Sequence, residues 1–326
     1  MIKKKLPGTE TAVQLSLFSN PPPTDEKANE SVSLTSNLLV ATQMSNTQPL
    51  KIGSAKVEYV NSRSILKSPG GFIARYKFTL NPYSGCSFGC DYCYARFFAP
   101  SLDEQNDWGN WVKVKENAVA LLRRARRSKS VENRLDTGDT IYMSTVTDPY
   151  QPIEHKVGLT RQILEELLEV QPRLTIQTRS PIALRDIDLF KKFKHIRVNF
   201  TISTDSEEVR FRYEPHCPAI EVRLKAAKQV AEAGVPIGIS ISPMLPIKDP
   251  KTFGKRIADL NADEYVTQFF KPFHSRFRAG TSADSIKKMT EDKWSEEDYK
   301  QVRNTLIHIL GSHRPLLEGN EGYAPA

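Results

Sequence analysis

The sequence contains only four cysteines among 326 residues, and no apolar run approaches the ~20 residues that a membrane-spanning helix needs. Three of the cysteines fall within eight positions, which is unlike the framework of a secreted disulfide-rich protein. The basic amino terminus lacks the apolar core of a secretory signal, so we expect a cytoplasmic protein with no membrane contact. The net charge of +8 is compatible with a polyanionic partner, and equally with a basic protein that simply stays in solution.

Residues 1–50 differ in composition from the remainder of the chain. They are rich in Ser, Thr, Asn and Gln and contain three consecutive prolines, so we expect a disordered tail. From residue 51 onward, strand-like and helix-like patterns alternate. Helices are predicted near residues 111–130, 159–170, 184–193, 218–233 and 251–260, and strands near residues 76–81, 140–145, 174–178, 197–203, 236–242 and 264–269.

Six such β/α repeats predict an α/β fold, a partial (β/α)6 barrel with parallel strands and right-handed crossovers. We expect this domain to span residues 51–275 and a carboxyl-terminal helical extension to span residues 276–326. Sites in such folds form at the carboxyl ends of the strands. A cysteine-rich loop follows the first predicted strand, at the place where a site is expected.

The cysteines of this loop, Cys86, Cys90 and Cys93, have the spacing C-x3-C-x2-C. Tetrahedral zinc usually takes four ligands in two separated pairs, whereas the remaining cysteine, Cys217, is distant in sequence. A [4Fe–4S] cluster held by three thiolates fits better, because it leaves one iron open to bind S-adenosylmethionine (SAM). A structural zinc loop is the alternative.

The longer segment NPYSGCSFGCDYCYAR, together with TDPYQP at residues 147–152, resembles the radical SAM superfamily and its spore photoproduct lyase-like branch over residues 70–275. The resemblance implies a partial β/α barrel, a [4Fe–4S] cluster, SAM, an electron donor, and reductive cleavage of SAM to a 5′-deoxyadenosyl radical. For the lyases themselves it implies repair of a thymine dimer in DNA.

The resemblance also implies roles for two tyrosines of this segment. Tyr92 stands where the superfamily places an aromatic ring against the adenine of SAM. Tyr92 and Tyr94 stand where the lyases have tyrosines that relay a hydrogen atom back to SAM. The alternative is that both rings simply pack the loop.

Four further residues are expected at the SAM site from the same resemblance. Thr147 and Asp148, at the end of the second strand, correspond to contacts of the methionine amino group, although a capped turn is the alternative. Arg179 replaces a lysine that contacts the SAM carboxylate, and a guanidinium can make that contact with two hydrogen bonds. Ser203, at the end of the fourth strand, is a candidate to bind the ribose or the carboxylate.

One position departs from the lyase pattern. The lyases carry a hydrogen-donating cysteine at the end of the second strand, where this chain has Thr145, whose O–H bond is too strong for that reaction. Cys217 could take that role if it faces the barrel mouth, or it could be an inert buried thiol.

Three segments suggest partners. Arg123, Arg124, Arg126, Arg127 and Lys129 could contact phosphates or form a solvated helix face. Residues 269–278 mix aromatic and basic side chains that could stack on bases or plug the barrel. Within the tail, Gln14, Leu15, Leu17 and Phe18 resemble the peptide by which bacterial DNA-handling proteins bind the replicative sliding clamp; chance, or packing on its own domain, is the alternative.

These observations support three hypotheses. The first is a lyase-like radical SAM enzyme that acts on DNA in repair. The second keeps the chemistry and changes the substrate to RNA, protein or a metabolite. The third is a non-catalytic clamp- or nucleic-acid-binding protein with a structural metal loop.

Overall fold

The computed structural model describes residues 51–270 and 281–326. The predicted tail, its clamp-like peptide at residues 14–18, and residues 271–280 of the aromatic and basic stretch lie outside this range. None of the helices in the described part is long and apolar enough to cross a bilayer.

Strands of the described residues form two sheets. They are β1 (Lys51–Ile52), β2 (Ala55–Val60), β3 (Leu66–Lys67), β4 (Phe78–Leu80), β5 (Tyr83–Ser84), β6 (Trp111–Lys115), β7 (Thr140–Met143), β8 (Arg173–Thr178), β9 (Ile196–Thr201), β10 (Ile237–Ile241), β11 (Glu264–Thr267) and β12 (Leu316–Glu318).

The α-helices alternate with the strands along most of the chain. They are α1 (Leu102–Asn106), α2 (Ala118–Arg126), α3 (Glu154–Val157), α4 (Leu159–Leu168), α5 (Ile187–Phe190), α6 (Glu207–Tyr213), α7 (Ile220–Glu232), α8 (Pro250–Ala258), α9 (Ala283–Glu291) and α10 (Glu296–Leu310). Short 3-10 turns cover Gly71–Ile73, Tyr94–Phe98, Pro181–Asp186 and Gly319–Glu321.

The larger sheet has the order β12-β11-β10-β9-β8-β7-β4-β3 within the described ranges. Neighbouring strands from β4 to β12 pair in parallel, and β3 pairs antiparallel with β4 at the edge. The predicted parallel partial barrel is therefore confirmed. The six predicted strands correspond to β4 and β7 to β11, and β12 adds a further parallel strand from the carboxyl-terminal part of the chain.

The two faces of this sheet differ in chemistry because successive side chains of a strand point to opposite faces. One face is apolar and forms the main core with the surrounding helices, for example at Ile176, Val198 and Ile239. The other face is polar: the Tyr142 hydroxyl donates to Gln177 Oε1 at 2.8 Å, and Gln177 Nε2 donates to Thr201 Oγ1 at 2.6 Å. The barrel interior is therefore lined by hydrogen-bonding side chains.

The smaller sheet has the order β1-β2-β6-β5 and corrects one prediction. Residues 111–115, expected at the start of a helix, form β6, and the helix α2 begins at Ala118. Val112 and Val114 pack in the main core, while Trp111 and Lys113 lie on the other face. Alternation of buried faces every second residue is typical of a strand. At residues 111–115 it determines the structure, and the helical pattern applies only to the residues that follow.

The carboxyl-terminal segment enters the barrel interior after β12. The ring of Tyr323 lies edge-on to Tyr142 with centroids 6.3 Å apart, and its hydroxyl lies 3.4 Å from Ser240 Oγ. Ala324 is held by Tyr76, Arg197 and Glu264, which stand at the amino ends of their strands. Ala324 therefore lies at the amino end of the barrel, and the side chain of Tyr323 extends from there into the interior.

Candidate functional site

The cysteine loop leaves the carboxyl end of β4 and is tied to the end of the neighbouring strand β7. Asn81 Oδ1 accepts hydrogen bonds from the main-chain amides of Thr145 at 2.8 Å and Val146 at 3.1 Å. Asn81 Nδ2 donates to the Thr145 hydroxyl at 3.1 Å. The Asn-Pro-Tyr sequence before the cysteines thus anchors the loop, and Thr145 is part of that anchor.

Two glycines give the loop its tight path. Gly85 has φ +75°, and a Cβ there would lie 2.5 Å from the carbonyl oxygen and ring of Trp111. Gly89 has φ +54°, and a Cβ there would lie 3.0 Å from Gly109 Cα. Both positions need the left-handed backbone and the absent side chain that glycine supplies.

The donor set of the loop fits a [4Fe–4S] cluster. Cys86, Cys90 and Cys93 are free thiols on one short loop, the first two buried and the third half-buried. A cluster distributes its thiolates over separate irons, so the three sulfurs need not converge on one point. Among residues 51–270 and 281–326, no group of three or more His, Cys, Asp or Glu is arranged to hold a single metal ion.

The thiols of the loop differ in acidity. Burial raises the pKa of Cys86, and burial next to Cys90 raises the pKa of Cys93 to about 11. The hydrogen bond from Cys217 lowers the pKa of Cys90 despite its burial, and Arg179 lowers it further. Because the thiolate is the form that binds metal, iron binding at this loop would release protons.

The end of α6 and the turn that follows it, residues 213–217, form the back wall of the cysteine loop. The amide of Asp91 donates to the Tyr213 carbonyl at 3.0 Å, and the Tyr92 hydroxyl donates to Glu214 Oε1. The thiols of Cys90 and Cys217 lie 3.4 Å apart. Three consecutive loop residues thus contact one short turn.

Cys217 lies in this back wall with 5% of its surface exposed. Its amide donates to the Glu214 carbonyl at 3.1 Å, and its own carbonyl accepts from Arg210. Its thiol lies beside Cys90, a predicted ligand of the cluster.

Tyr92, Arg179 and Ser203, predicted separately from three different elements, come together in the structure. Arg179 Nη2 donates to the Tyr92 hydroxyl at 2.8 Å, and the guanidinium lies 5.7 Å from the centre of the Tyr92 ring. The Ser203 hydroxyl lies 3.3 Å from that of Tyr92. The three side chains form one polar wall beside the cysteine loop.

Two charged residues beneath this wall, Glu214 and Arg223, were not among the site residues predicted from the sequence. Glu214 is fully buried, with Oε1 3.6 Å from Arg179 Nε and Oε2 2.6 Å from Arg223 Nη2. Although burial raises the pKa of Glu214, Arg223 and then Arg179 lower it to about 2, so the carboxylate is ionised. Burial also raises the pKa of Tyr92, which keeps its hydroxyl protonated.

Thr147 and Asp148 lie beside the loop, and both side chains bond to the chain itself. The Thr147 hydroxyl donates to the Gly85 carbonyl at 2.6 Å. Asp148 Oδ1 accepts from the Thr178 hydroxyl at 2.7 Å, and Oδ2 accepts from the amide of Arg179 at 2.9 Å. Asp148 therefore fixes the main chain of Arg179, and direct contact of either residue with SAM stays a prediction.

Gln151, which was noted only as part of the downstream motif, is a further missed residue. Its Oε1 accepts from the amide of Ser87 at 2.9 Å, and its Nε2 donates to Gly85 O and to Thr147 Oγ1. Gln151 is fully buried and holds the amino-terminal part of the cysteine loop to the turn between β7 and α3.

Tyr94 is about half exposed, whereas Tyr92 is buried. Its hydroxyl donates to the Thr145 carbonyl at 2.5 Å, and its ring meets Phe98 edge-on with centroids 6.2 Å apart. Tyr94, Phe98 and Leu102 are 45%, 58% and 73% exposed. These three exposed apolar residues follow the cysteine loop within nine positions of the chain, and we name them the aromatic ridge.

The basic cluster of α2 lies at the other end of the barrel. Arg123 and Arg126 form ion pairs of 2.8 Å and 2.7 Å with Glu166, which lies near the end of α4. Because α4 leads into the amino end of β8, the cluster stands at the amino ends of the strands. It is therefore remote from the cysteine loop.

The family model of the radical SAM superfamily matches residues 80–259. An uncharacterized protein of Methanocaldococcus jannaschii is 36% identical over 223 residues, which cover 68% of this chain and 75% of that protein. A radical SAM Nalpha-GlyT isomerase of Pseudomonas phage M6 is 21% identical over 199 residues, which cover 60% of this chain and 39% of that protein.

Among solved structures, a spore photoproduct lyase mutant with bound S-adenosylmethionine and dinucleoside spore photoproduct is similar in fold. The TM-score is 0.57 at 16% sequence identity, and the match covers 80% of this chain and 81% of that one. The similarity supports the same barrel architecture for both chains.

Proposed function

Because the chain belongs to the radical SAM superfamily, we propose that it cleaves SAM reductively at a [4Fe–4S] cluster and acts on a nucleotide of damaged or modified DNA. Membership in the superfamily implies the cluster, SAM and an external electron donor. The DNA substrate and the lyase-like outcome are our inference.

Each residue of the site has a separate proposed role. Cys86, Cys90 and Cys93 hold the cluster, which when bound supplies the electron that breaks a C–S bond of SAM. Arg179 binds the SAM carboxylate, and Ser203 binds the ribose or the carboxylate. Tyr92 places its ring against the adenine.

Thr147 and Asp148 also have a proposed role as contacts of SAM. Both lie in the turn that follows β7, beside the cysteine loop, and Asp148 fixes the main chain of Arg179 with a hydrogen bond of 2.9 Å. Tyr94 has a separate proposed role as a hydrogen-atom relay, because it stands directly after the last cysteine and its hydroxyl reaches the end of β7.

The observation that carries the DNA proposal is the aromatic ridge. Large apolar side chains exposed together mark binding surfaces, and aromatic rings stack on unpaired bases of any sequence. The ridge begins at the residue after Cys93, so a base stacked there would lie beside the cluster loop. The net charge of +8 is compatible with a polyanionic substrate.

Two relatives add support by analogy. The similar lyase structure holds a dinucleoside photoproduct, and the phage relative is named as a radical SAM isomerase. Thr145 argues against simple transfer of the lyase reaction, because the chain has no cysteine at that position.

The test is SAM turnover by anaerobically reconstituted protein with ultraviolet-irradiated DNA deuterated in its thymidines. We expect DNA to stimulate formation of 5′-deoxyadenosine and deuterium to appear in that product. Undamaged DNA and RNA of the same sequence are the controls. Turnover that no DNA stimulates would reject DNA as substrate, and stimulation by RNA alone would favour the second hypothesis.

A further inference from the structure

Glu214 is a buried carboxylate to which no step of the proposed function assigns a role. We propose that Glu214 is a positioning residue, which holds Tyr92 and Arg179 in the arrangement that binds SAM. Its carboxylate touches both of them and is itself held by Arg223. This proposal rests on the proposed function in one respect, that Arg179 and Tyr92 contact SAM.

The position of Glu214 is fixed from behind. Arg223 is almost fully buried, and besides its ion pair with Glu214 it donates to the Pro218 carbonyl at 2.8 Å and the Thr201 carbonyl at 3.3 Å. These bonds tie the guanidinium to the turn before α7 and to the end of β9. Arg223 thus has little freedom to turn toward a ligand, and its guanidinium is paired with Glu214.

Arg179 is placed differently. Its main chain is fixed by Asp148, and its guanidinium reaches Tyr92 and Glu214 while 18% of the side chain stays exposed. Arg179 is therefore the arginine of this group that can still meet a ligand. Glu214 determines where its guanidinium points.

The charges of the group favour an anionic ligand. Glu214 pairs closely with Arg223 at 2.6 Å and more loosely with Arg179 at 3.6 Å, so Glu214 balances the charge of Arg179 only in part. A buried charge without a partner is costly, and a carboxylate of the ligand would balance it. Without Glu214, two guanidiniums would face each other with no charge between them, and Arg179 would be displaced from the loop.

Glu214 also determines the position of Tyr92. The hydroxyl of Tyr92 donates to Glu214 and accepts from Arg179, so one bond on each side fixes the ring beside Cys90 and Cys93.

The test compares Glu214→Gln with a matched control, Glu154→Gln. Gln at position 214 can still accept from Tyr92 but carries no charge. Glu154 is equally buried, accepts a tyrosine hydroxyl from Tyr83 and pairs with Arg185, yet lies outside the group around Tyr92. The control measures the general cost of neutralising a buried glutamate bound by tyrosine and arginine.

Three quantities are measured on anaerobically reconstituted protein: iron per chain, the dissociation constant of SAM by equilibrium dialysis, and the change in the electron paramagnetic resonance spectrum of the reduced cluster when SAM is added. We expect Glu214→Gln to keep its iron, to bind SAM about tenfold more weakly, and to need correspondingly more SAM for the spectral change. Glu154→Gln should match the wild type in all three.

A double variant tests whether Glu214 acts through Arg179. Once Arg179→Gln is present, adding Glu214→Gln should weaken SAM binding by less than about twofold, because the residue it positions is gone. Full additivity of the two effects would overturn the proposal.

Other outcomes are equally clear. Unchanged SAM affinity in Glu214→Gln, or loss of its iron while Glu154→Gln keeps a full cluster, would also overturn the proposal. If Glu214→Gln does not fold, Tyr92→Phe removes the hydroxyl that joins Glu214 to Arg179, and unchanged SAM affinity in that variant would again overturn it. Failure of the wild type itself to bind SAM would instead reject the proposed function.

Discussion

The thiol of Cys217 lies 3.4 Å from the thiol of Cys90, the middle cysteine of the loop. When Cys90 binds iron as a thiolate it can only accept a hydrogen bond, so Cys217 must be the donor. Hydrogen bonds to the sulfurs of an iron–sulfur cluster shift its reduction potential, and removing a donor makes the thiolate more electron-rich. Cys217 is therefore expected to influence the cluster without binding it.

The first prediction concerns this bond. Cys217→Ala should lower the midpoint potential of the cluster, while Cys217→Ser, which keeps a donor, should lower it less. A redox titration followed by electron paramagnetic resonance measures both. Identical potentials in the three proteins would show that the sulfur–sulfur contact has no bearing on the cluster.

The second prediction separates the three-cysteine cluster from a four-ligand metal loop. Alanine at any one of Cys86, Cys90 or Cys93 should abolish the cluster and its absorbance near 400 nm. Cys217→Ala should retain the iron content of the wild type. Equal loss of metal in all four variants would favour a site with four sulfur ligands, as in the structural-zinc hypothesis.

The third prediction concerns the aromatic ridge. Phe98→Ser should weaken the affinity for single-stranded DNA by about 1–3 kcal/mol, the cost of one lost base-stacking ring. Phe211→Ser is the control, because Phe211 is 66% exposed but belongs to α6 instead of the ridge. Fluorescence anisotropy with a labelled oligonucleotide compares the two at one salt concentration. Equal effects of both substitutions would remove the ridge as the binding surface.

The fourth prediction concerns Lys115, which is buried and donates to the Asn81 carbonyl at 2.8 Å. Burial, and secondarily Lys67, lowers its pKa from 10.5 to about 8. Because the folded state disfavours the charged form of Lys115, the free energy of unfolding is highest above the unfolded pKa of 10.5. It decreases as the pH falls to about 8.

The wild type should therefore gain up to about 3 kcal/mol of stability relative to Lys115→Met as the pH rises from neutral to above the unfolded pKa. Urea unfolding at several pH values measures this difference. A difference between the two proteins that does not change with pH would contradict the stated burial of the Lys115 ammonium.

The barrel and the cysteine loop could be predicted because local patterns in the sequence indicate both. Strands such as β8 and β10 are short apolar or alternating runs between helical segments, and the cysteine spacing is contained in eight residues. The meeting of Tyr92, Arg179 and Ser203 at the carboxyl ends of strands follows from the parallel order. These features could be predicted because each depends on neighbours in sequence or on one topological rule.

The back wall of the loop could not be predicted in the same way. Tyr92 and Glu214 are 122 residues apart, and a single glutamate before a proline carries no sign that it is buried. The entry of Tyr323 into the barrel depends on the path of the chain after β12, which no local pattern specifies. At residues 111–115 the strand alternation was present in the sequence but was concealed by the longer helical pattern that follows.

The central claim is that the cysteine loop holds a cluster that cleaves SAM. Its most direct test is to incubate the anaerobically reconstituted wild type and Cys90→Ala with SAM and dithionite, and to quantify 5′-deoxyadenosine and methionine by mass spectrometry. The account predicts both products in equal amounts from the wild type and neither from Cys90→Ala. A wild type that contains four irons per chain, binds SAM and yet forms no 5′-deoxyadenosine with or without DNA would contradict it.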